Sequence, residues 1–139
     1  MYNVVKANIT DLDKILQVDS EVIGNTGRRN FIRNAIERRN CIVVQEENNI
    51  VGFLIYDTNF FDCSFISLVI VSPSKRRKGY ASLLMEYMLN NSPTVKVFSS
   101  TNCSNVRMQK VFEANGFIQS GNIENLDEGD PEIIYFNSN

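Results

Sequence analysis

The stretch Val69-Ile-Val-Ser-Pro-Ser-Lys-Arg-Arg-Lys-Gly-Tyr-Ala81 decides the fold of this 139-residue chain. Its first residues continue a β-branched run from Phe65, which predicts a buried central strand. Pro73 ends that strand because proline has no amide hydrogen for a sheet ladder. Four basic residues follow, and Gly79 opens an amphipathic helix. The stretch therefore predicts a strand, a short basic loop and a helix, in that order.

The basic loop has the properties of an anion-binding site. Amides at the start of a helix lack partners inside the helix, and the helix dipole adds partial positive charge there. Such a helix start binds phosphate oxygens. Gly79 lets the backbone approach an anion closely, and the basic residues 75–78 raise the local potential. The residues alone predict a phosphate or pyrophosphate site, with a solvated basic turn as the alternative.

The periodicity of the apolar residues predicts a mixed α/β fold in a single domain over residues 1–139. No repeat, low-complexity block or Pro/Gly-rich linker divides the chain. The predicted order is β-α-α-β-β-β-α-β-α-β-β. Strands are expected at 2–6, 41–45, 50–56, 65–71, 94–99, 117–124 and 132–136, and helices from Thr10 to Gly24 and over 28–39, 78–91 and 104–115.

The absence of histidine excludes several kinds of site. A Ser-His-Asp triad, a Cys-His pair and a histidine metal ligand cannot form, and no metal is expected. The three cysteines, Cys41, Cys63 and Cys103, are far apart, which is typical of a reduced intracellular protein. Because no histidine can activate a thiol, a structural role is favoured for them over a covalent acyl-enzyme.

Charge and hydropathy favour a cytoplasmic protein without nucleic-acid or membrane partners. The net charge is −2, and the basic residues fall in two short patches without interleaved aromatic residues. No apolar run reaches 18 residues, and residues 1–9 lack the apolar region of a signal peptide. Neither a P-loop nor a G-x-G-x-x-G fingerprint is present. A nucleic-acid-binding module is therefore the weakest of the functional alternatives.

Two motifs resemble those of the GNAT superfamily of N-acetyltransferases. Arg76-x-x-Gly79-x-Ala81, preceded by Val71-x-Pro73, is similar to the acetyl-coenzyme A motif that follows a central strand in that family. Downstream, Asn105 begins a predicted helix that closes with Asn115-Gly116-Phe117, again as in family members. The element order fits the family fold from Tyr2 to Phe136, including a strand from Thr94 that splays from the central strand and leaves a slot for a thioester.

The resemblance implies a set of residues that bind acetyl-CoA as co-substrate. The backbone of the central strand would run beside the pantetheine arm, and the amides of residues 77–82 would hold the pyrophosphate. Asn105 would hydrogen-bond the pantetheine or adenylate part, with helix N-capping as its alternative role. The implied set is Val69, Ile70, Val71, Arg76, Arg77, Lys78, Gly79, Tyr80, Ala81, Ser82 and Asn105.

The chain departs from the family at both positions that usually move protons. Family members attack the thioester directly with an amine, and a tyrosine seven residues after the asparagine protonates the thiolate. Phe112 occupies that position here, and Ser100 occupies the position of a frequent glutamate, five residues before the asparagine. Tyr56, Tyr135 or a water ordered by Ser100 could substitute, so the catalytic residues stay open at this point.

An acidic segment near the C-terminus suggests the acceptor. In the superfamily the last hairpin borders the acceptor slot, and here its loop carries acidic residues and no basic one. These carboxylates would attract a cationic amine that resembles a polyamine, an aminoglycoside or lysine, with a polar hairpin turn as the alternative. The predicted basic helix at 28–39 could instead bind an acidic acceptor, so an acidic acceptor remains an alternative. The candidate acceptor-binding residues are Asp127, Glu128, Asp130 and Glu132.

The resulting functional prediction is an N-acetyltransferase. It would transfer acetyl from acetyl-CoA to a primary amine of a small molecule or protein by direct attack. The alternative is a CoA-binding or acetyl-CoA-binding sensor that has lost the chemistry, which Phe112 and Ser100 favour. A homodimer is compatible with the fold that the resemblance implies.

Overall fold

A computed structural model describes residues 1–138, which form seven strands, four α-helices and two short 3₁₀ turns. The helices are α1 Leu12–Ile23, α2 Arg29–Glu37, α3 Tyr80–Asn91 and α4 Val106–Ala114. The strands are β1 Tyr2–Lys6, β2 Cys41–Glu46, β3 Asn49–Phe60, β4 Cys63–Val71, β5 Lys96–Asn102, β6 Ile118–Ile123 and β7 Glu132–Ser138. The predicted mixed α/β class and the predicted order of elements are confirmed.

The strands are hydrogen-bonded in the order β1-β2-β3-β4-β5-β7-β6. β4 takes the central place that its β-branched sequence predicts. It pairs in parallel with β5 through Ser64↔Val97, Phe65↔Phe98 and Ile66↔Ser99. β5 pairs antiparallel with β7, and β7 pairs antiparallel with β6. The sheet is therefore mixed, with its parallel pair at the middle.

Contacts divide the chain into two compact units. The first comprises Met1–Tyr56 and Leu68–Met88, and the second comprises Asp57–Ser67 and the chain from Leu89 onwards. In the first unit, side chains from α1 and α2 form a core with one face of β2 and β3. Because strand side chains alternate between faces, Ile42, Val44 and Leu54 are buried on the other face.

The second unit has aromatic packing on both faces of β5 and β7. On one face the ring of Phe98 lies 5.1 Å from Phe60 and 5.3 Å from Phe136, measured between ring centroids. On the other face Phe112 of α4 stacks on Tyr135 at 4.8 Å. The contact of Phe112 with Tyr135 packs α4 against β7, and Asn105 is the N-cap of that helix.

Several predicted boundaries are wrong for local reasons. β3 continues through the polar residues 57–59, and a two-residue turn at Phe61 and Asp62 joins it to β4. Both turn residues have positive φ, as a type I′ hairpin requires. β5 begins at Lys96 rather than at 94, because Thr94 turns the chain: its amide donates to the Ser92 hydroxyl, its hydroxyl donates to the Lys96 carbonyl, and its carbonyl accepts from Ser92. α2 ends at Glu37, and Arg39 adopts positive φ.

Candidate functional site

The connection between β4 and α3 is a tight loop of unusual backbone geometry. Residues 73–75 form one 3₁₀ turn, and Arg76 is extended. Arg77 has φ 65° and Gly79 has φ 82°, so two left-handed residues lie within three positions. A non-glycine residue with positive φ is uncommon and is held there by its surroundings. The loop therefore has a fixed shape before the helix begins.

This loop leaves a row of backbone amides available to a ligand. The first hydrogen bond of α3 runs from the Leu83 amide to the Gly79 carbonyl at 3.0 Å. Within residues 1–138, the amides of 77–81 donate to no backbone or side-chain acceptor. The side chains of Arg76 and Arg77 likewise form no ion pair with the described residues. Unpaired amides beside unpaired guanidinium groups suit an anion.

The space beside Gly79 is open. A Cβ built on Gly79 would meet no heavy atom within 4 Å, so packing does not demand glycine there. The positive φ does favour it, and the absent side chain leaves the neighbouring amides accessible. Ala81 and Ser82, in the first turn of α3, are half-buried. The space at the Cβ position of Gly79 is therefore open to a ligand.

Two side chains bind this loop to the end of β2. Lys75 Nζ donates to Glu46 Oε1 at 2.6 Å, and the Tyr80 hydroxyl donates to Glu46 Oε2. The hydrogen bonds from Lys75 and Tyr80 lower the pKa of Glu46 to about 2, and the bond to Glu46 raises the pKa of Tyr80. Sequence reasoning missed Glu46, because nothing in the β2–β3 turn indicates a partner 29 residues away. Lys75 is thus anchored rather than available to a ligand.

The strand that leads into the loop is only half-buried at its end. Val69, Ile70 and Val71 are partly exposed although β4 is the central strand. Ser72 directly after them is buried, and its hydroxyl donates to Glu21 Oε1 of α1 at 2.8 Å. A central strand with partly exposed apolar side chains offers surface to a ligand. The predicted residues 69–71 and 76–82 therefore adjoin within the first unit.

Asn105 lies in the second unit and caps α4. Its Oδ1 accepts a hydrogen bond from the Met108 amide at 3.1 Å. This is the capping role that the sequence left as the alternative, and capping is typical of asparagine. One side of its amide is thus occupied by the helix.

Two of the four acidic candidates hold the β6–β7 loop in place. Asp127 Oδ2 accepts from Asn102 Nδ2 at 2.8 Å. Asp130 accepts from both the amide and the hydroxyl of Ser104, at 2.9 and 2.6 Å. Glu128 is exposed and has no hydrogen bond or ion pair with residues 1–138. The carboxylates of Asp127 and Asp130 therefore hold the loop through hydrogen bonds to residues 102 and 104. The interpretation of this segment as a polar turn did not predict these bonds.

Glu132 is the fourth acidic candidate, and it contacts Ser100. The Ser100 hydroxyl donates to Glu132 Oε2 at 2.6 Å. Both side chains are half-buried. The sequence singled out Ser100 because it occupies the position of the family's glutamate, and Glu132 as a candidate acceptor-binding residue. It did not predict that the two side chains pair.

The aromatic residues considered for proton transfer are buried. Phe112 is 1 % exposed and Tyr135 is 0 % exposed, and burial raises the pKa of the Tyr135 hydroxyl. Tyr56 is also buried. All three side chains are shielded from solvent, which argues against Tyr56 and Tyr135 as substitutes for the missing tyrosine.

The charge of α2 is partly neutralised within the first unit. Arg28 Nε lies 3.3 Å from Asp19 Oδ2, and Arg29 Nη1 lies 3.3 Å from Asp13 Oδ1. Asp19 is fully buried, and desolvation raises its pKa against the opposing effect of Arg28. The basic helix is therefore less available to an acidic acceptor than its sequence indicates.

The cysteines remain free thiols: Cys41 is buried, Cys63 half-buried and Cys103 exposed. Burial, with a smaller contribution from Asp11, raises the pKa of Cys41 to about 12, which keeps that thiol protonated. Within residues 1–138 no group of three His, Cys, Asp or Glu side chains is placed to hold a metal ion. In the same range no helix combines the length and hydropathy needed to span a bilayer.

Comparison with solved structures finds close and distant relatives. An acetyltransferase of the GNAT family from Bacillus cereus ATCC 10987 is 64 % identical, with a TM-score of 0.97 and coverage of 99 % of this chain and 97 % of that one. The ribosomal-protein-S18-alanine N-acetyltransferase from Escherichia coli is 17 % identical, with a TM-score of 0.83 and coverage of 99 % and 94 %.

A third relative is yncA, a putative acetyltransferase from Salmonella typhimurium solved with its cofactor acetyl-CoA. It is 12 % identical, with a TM-score of 0.81 and coverage of 99 % and 93 %. At identities this low, the second and third relatives show the fold alone. A search of the curated proteins finds no match.

A model of the Acetyltransferase (GNAT) family matches residues 10–117, which is most of the chain. The matched segment contains the loop with its unpaired amides, α3 and α4. Together with the 64 % identical relative, this match shows that the chain belongs to the GNAT family of acetyltransferases and is an acyltransferase.

Proposed function

We propose that this protein transfers acetyl from acetyl-CoA to a primary amine of a small molecule or a protein. The observation that carries the proposal is the β4–α3 loop. It contains the left-handed residues Arg77 and Gly79, a row of unpaired amides and two unpaired guanidinium groups, and the space at the Cβ position of Gly79 is open. A diphosphate satisfies such amides and neutralises such cations. CoA carries that group, and its thioester supplies the acetyl.

The residues of the first unit suit the remaining contacts with acetyl-CoA. Val69, Ile70 and Val71 are partly exposed, and we propose that their backbone pairs with the amide groups of a pantetheine arm, as an added strand would. Arg76, Arg77 and Lys78 supply positive charge, and the amides of Gly79, Tyr80, Ala81 and Ser82 follow along the first turn of α3. For Asn105 we propose a contact through the part of its amide that does not cap α4.

The acceptor proposed is a cationic amine. The β6–β7 loop carries the carboxylates of Asp127, Glu128 and Asp130 and no basic residue. Glu128 is exposed and unpaired within residues 1–138, and such a charge attracts an ammonium group. An alkylammonium has a pKa of about 10.4, so the amine must lose a proton before it can attack a thioester.

The experiment that tests the proposal has two parts. Calorimetry with CoA and acetyl-CoA measures binding, and release of free thiol measures transfer to a panel of amines. The panel contains spermidine, an aminoglycoside, Nα-blocked lysine, a peptide with N-terminal alanine and, as an acidic acceptor, glutamate. We expect binding of both nucleotides and thiol release above hydrolysis with at least one cationic amine. No binding at millimolar nucleotide would exclude both this function and a sensor.

A sensor of CoA or acetyl-CoA is the second candidate, and one observation favours it. Phe112 has no hydroxyl and is buried against Tyr135 and Phe117. A CoA thiol has a pKa near that of cysteine, about 8.5, so its thiolate can leave without a protein acid. A sensor should bind CoA or acetyl-CoA tightly and release no thiol with any amine. An enzyme should bind the nucleotide and also release thiol with at least one amine.

A further inference from the structure

Ser100 and Glu132 form a hydrogen-bonded pair within the second unit. The Ser100 hydroxyl donates to Glu132 Oε2 at 2.6 Å, the short distance typical of a bond to an ionised carboxylate. The residues lie on neighbouring antiparallel strands. Ser100 is opposite Ile134, and Glu132 is opposite Asn102. Residues two positions apart on a strand share a face, so the two side chains reach each other diagonally across β5 and β7.

The Glu132 carboxylate is fixed at one oxygen and free at the other. Within residues 1–138, Oε1 accepts no hydrogen bond, and neither oxygen forms an ion pair. Asp130 differs, because both of its oxygens accept bonds from Ser104. In the β6–β7 loop, Asp127 accepts a hydrogen bond from Asn102, and Asp130 accepts from Ser104. Glu132 is therefore a half-buried carboxylate that Ser100 holds at one oxygen and that can accept a proton at the other.

The pair lies where the parallel strands stop pairing. The last parallel pair of β4 and β5 is Ile66↔Ser99, and Ser100 is the next residue towards the carboxyl end of β5. In open α/β sheets, ligands bind beyond the carboxyl ends of adjacent parallel strands, where the strand order switches. On the other side of β5 the sheet continues with the antiparallel β7. Ser100 and Glu132 are thus next to the point where β5 ends its parallel pairing with β4 and continues in antiparallel pairing with β7.

We infer that Glu132 is the general base of the acetyl transfer and that Ser100 is its positioning residue. This inference rests on the proposed function. Glu132 Oε1 accepts one proton from the ammonium group of the acceptor. The neutral amine then forms a C–N bond to the acetyl carbon as the C–S bond of the thioester breaks. The second amine proton and the proton on Glu132 leave to solvent, and the thiolate takes a proton from solvent.

The test compares Glu132→Gln with the wild-type chain, using whichever amine of the panel reacts fastest. We expect turnover to fall by about 10²-fold at pH 7, the lower end of typical general-base contributions, with CoA affinity unchanged by calorimetry. The deficit should narrow as the pH rises towards 9. More of the amine, with its pKa of about 10.4, is then neutral without help. A purely structural role would give a deficit that does not depend on pH.

Two further variants sharpen the test. Glu113→Gln removes another exposed carboxylate from the same unit without contacting Ser100, and we expect unchanged turnover. Ser100→Glu combined with Glu132→Gln returns a carboxylate to the same face of β5, and we expect it to recover part of the rate at pH 7. Normal turnover by Glu132→Gln, or a loss equal at every pH, overturns the inference alone. Absence of thiol release by the wild-type chain overturns the proposed function and the inference with it.

Discussion

The ammonium group of Lys75 lies 2.6 Å from the carboxylate of Glu46, and this contact joins the β4–α3 loop to the end of β2. The same carboxylate accepts the hydroxyl of Tyr80, the first residue of α3. One side chain therefore holds both ends of the segment that presents the unpaired amides. A loop that is rigid before binding loses less conformational entropy when it binds. Glu46 should thus contribute to nucleotide affinity without contacting the nucleotide.

Glu46→Gln should weaken CoA binding severalfold. The amide keeps one acceptor oxygen but loses the charge that attracts Lys75, so the loop should sample more conformations. Calorimetry with CoA measures the change, and Glu47→Gln, at the next residue in the β2–β3 turn, serves as the matched control. Equal CoA affinity in the wild-type chain and Glu46→Gln would show that the loop keeps its shape without this contact.

The contribution of Glu46 to stability should disappear in acid. Its pKa falls from 4.5 to about 2 in the folded protein. A group with a lowered folded pKa stabilises the fold above its unfolded pKa and loses that effect as pH falls through the folded value. The melting temperature of the wild-type chain should therefore exceed that of Glu46→Gln above about pH 4.5. The two values should converge between about pH 4.5 and 2, as thermal melts across this range can measure.

Comparing Gly79→Ala with Gly24→Ala should separate the effect of backbone strain on stability from the effect of the added methyl group on CoA binding. Gly79 and Gly24 both have φ 82° and open space at the Cβ position, and Gly24 ends α1 away from the loop. Alanine at either position should cost about 1–2 kcal/mol of unfolding free energy, because an L residue is strained in this conformation. Only Gly79→Ala should also weaken CoA binding, since its methyl group fills the space beside the amides. Denaturant unfolding and calorimetry on both variants provide the comparison. A similar loss of CoA affinity in Gly24→Ala would assign the effect to general destabilisation.

Asp19→Asn should stabilise the protein at neutral pH. Asp19 is fully buried, neither of its carboxylate oxygens accepts a hydrogen bond from residues 1–138, and burial raises its pKa. The carboxyl group has a pKa of 3.8 in the unfolded chain and a higher pKa in the folded protein. Its contribution to the stability of the fold is therefore fully present below pH 3.8 and is lost as the pH rises through the folded pKa. At pH 7 the group is ionised and unfavourable. Arg28 remains solvated because a third of its side chain is exposed.

We expect a gain of about 1 kcal/mol for Asp19→Asn at pH 7, or a few degrees in melting temperature. The gain should shrink as the pH falls through the raised folded pKa towards 3.8. Asp13→Asn is the control, since that carboxylate is 88 % exposed and its pair with Arg29 should contribute little. A lower melting temperature for Asp19→Asn at pH 7 would instead mean that the ion pair with Arg28 outweighs the desolvation of Asp19.

The sequence predicted the features that depend on neighbouring residues and missed those that depend on register. The β-branched run, the proline and the glycine of residues 69–79 sufficed for the strand, loop and helix start, because each acts on its own backbone. Ser100 and Glu132 are 32 residues apart and meet only because β5 and β7 pair in one register. The contact of Lys75 with Glu46 likewise depends on where β2 ends. Side-chain partners of this kind cannot be derived from periodicity or turn chemistry.

Two carboxylates of the β6–β7 loop should have different roles, one in the stability of the loop and one in binding of the acceptor. Asp130 accepts two hydrogen bonds from Ser104, so Asp130→Asn should lower stability by about 1–2 kcal/mol. Glu128 has no partner within residues 1–138, so Glu128→Gln should leave the melting temperature unchanged. If the loop attracts a cationic amine, Glu128→Gln should raise the KM for spermidine while kcat stays the same. That effect should weaken at high salt, because an exposed charge is screened. An unchanged KM for spermidine in Glu128→Gln at low salt would leave the loop carboxylates with a structural role alone.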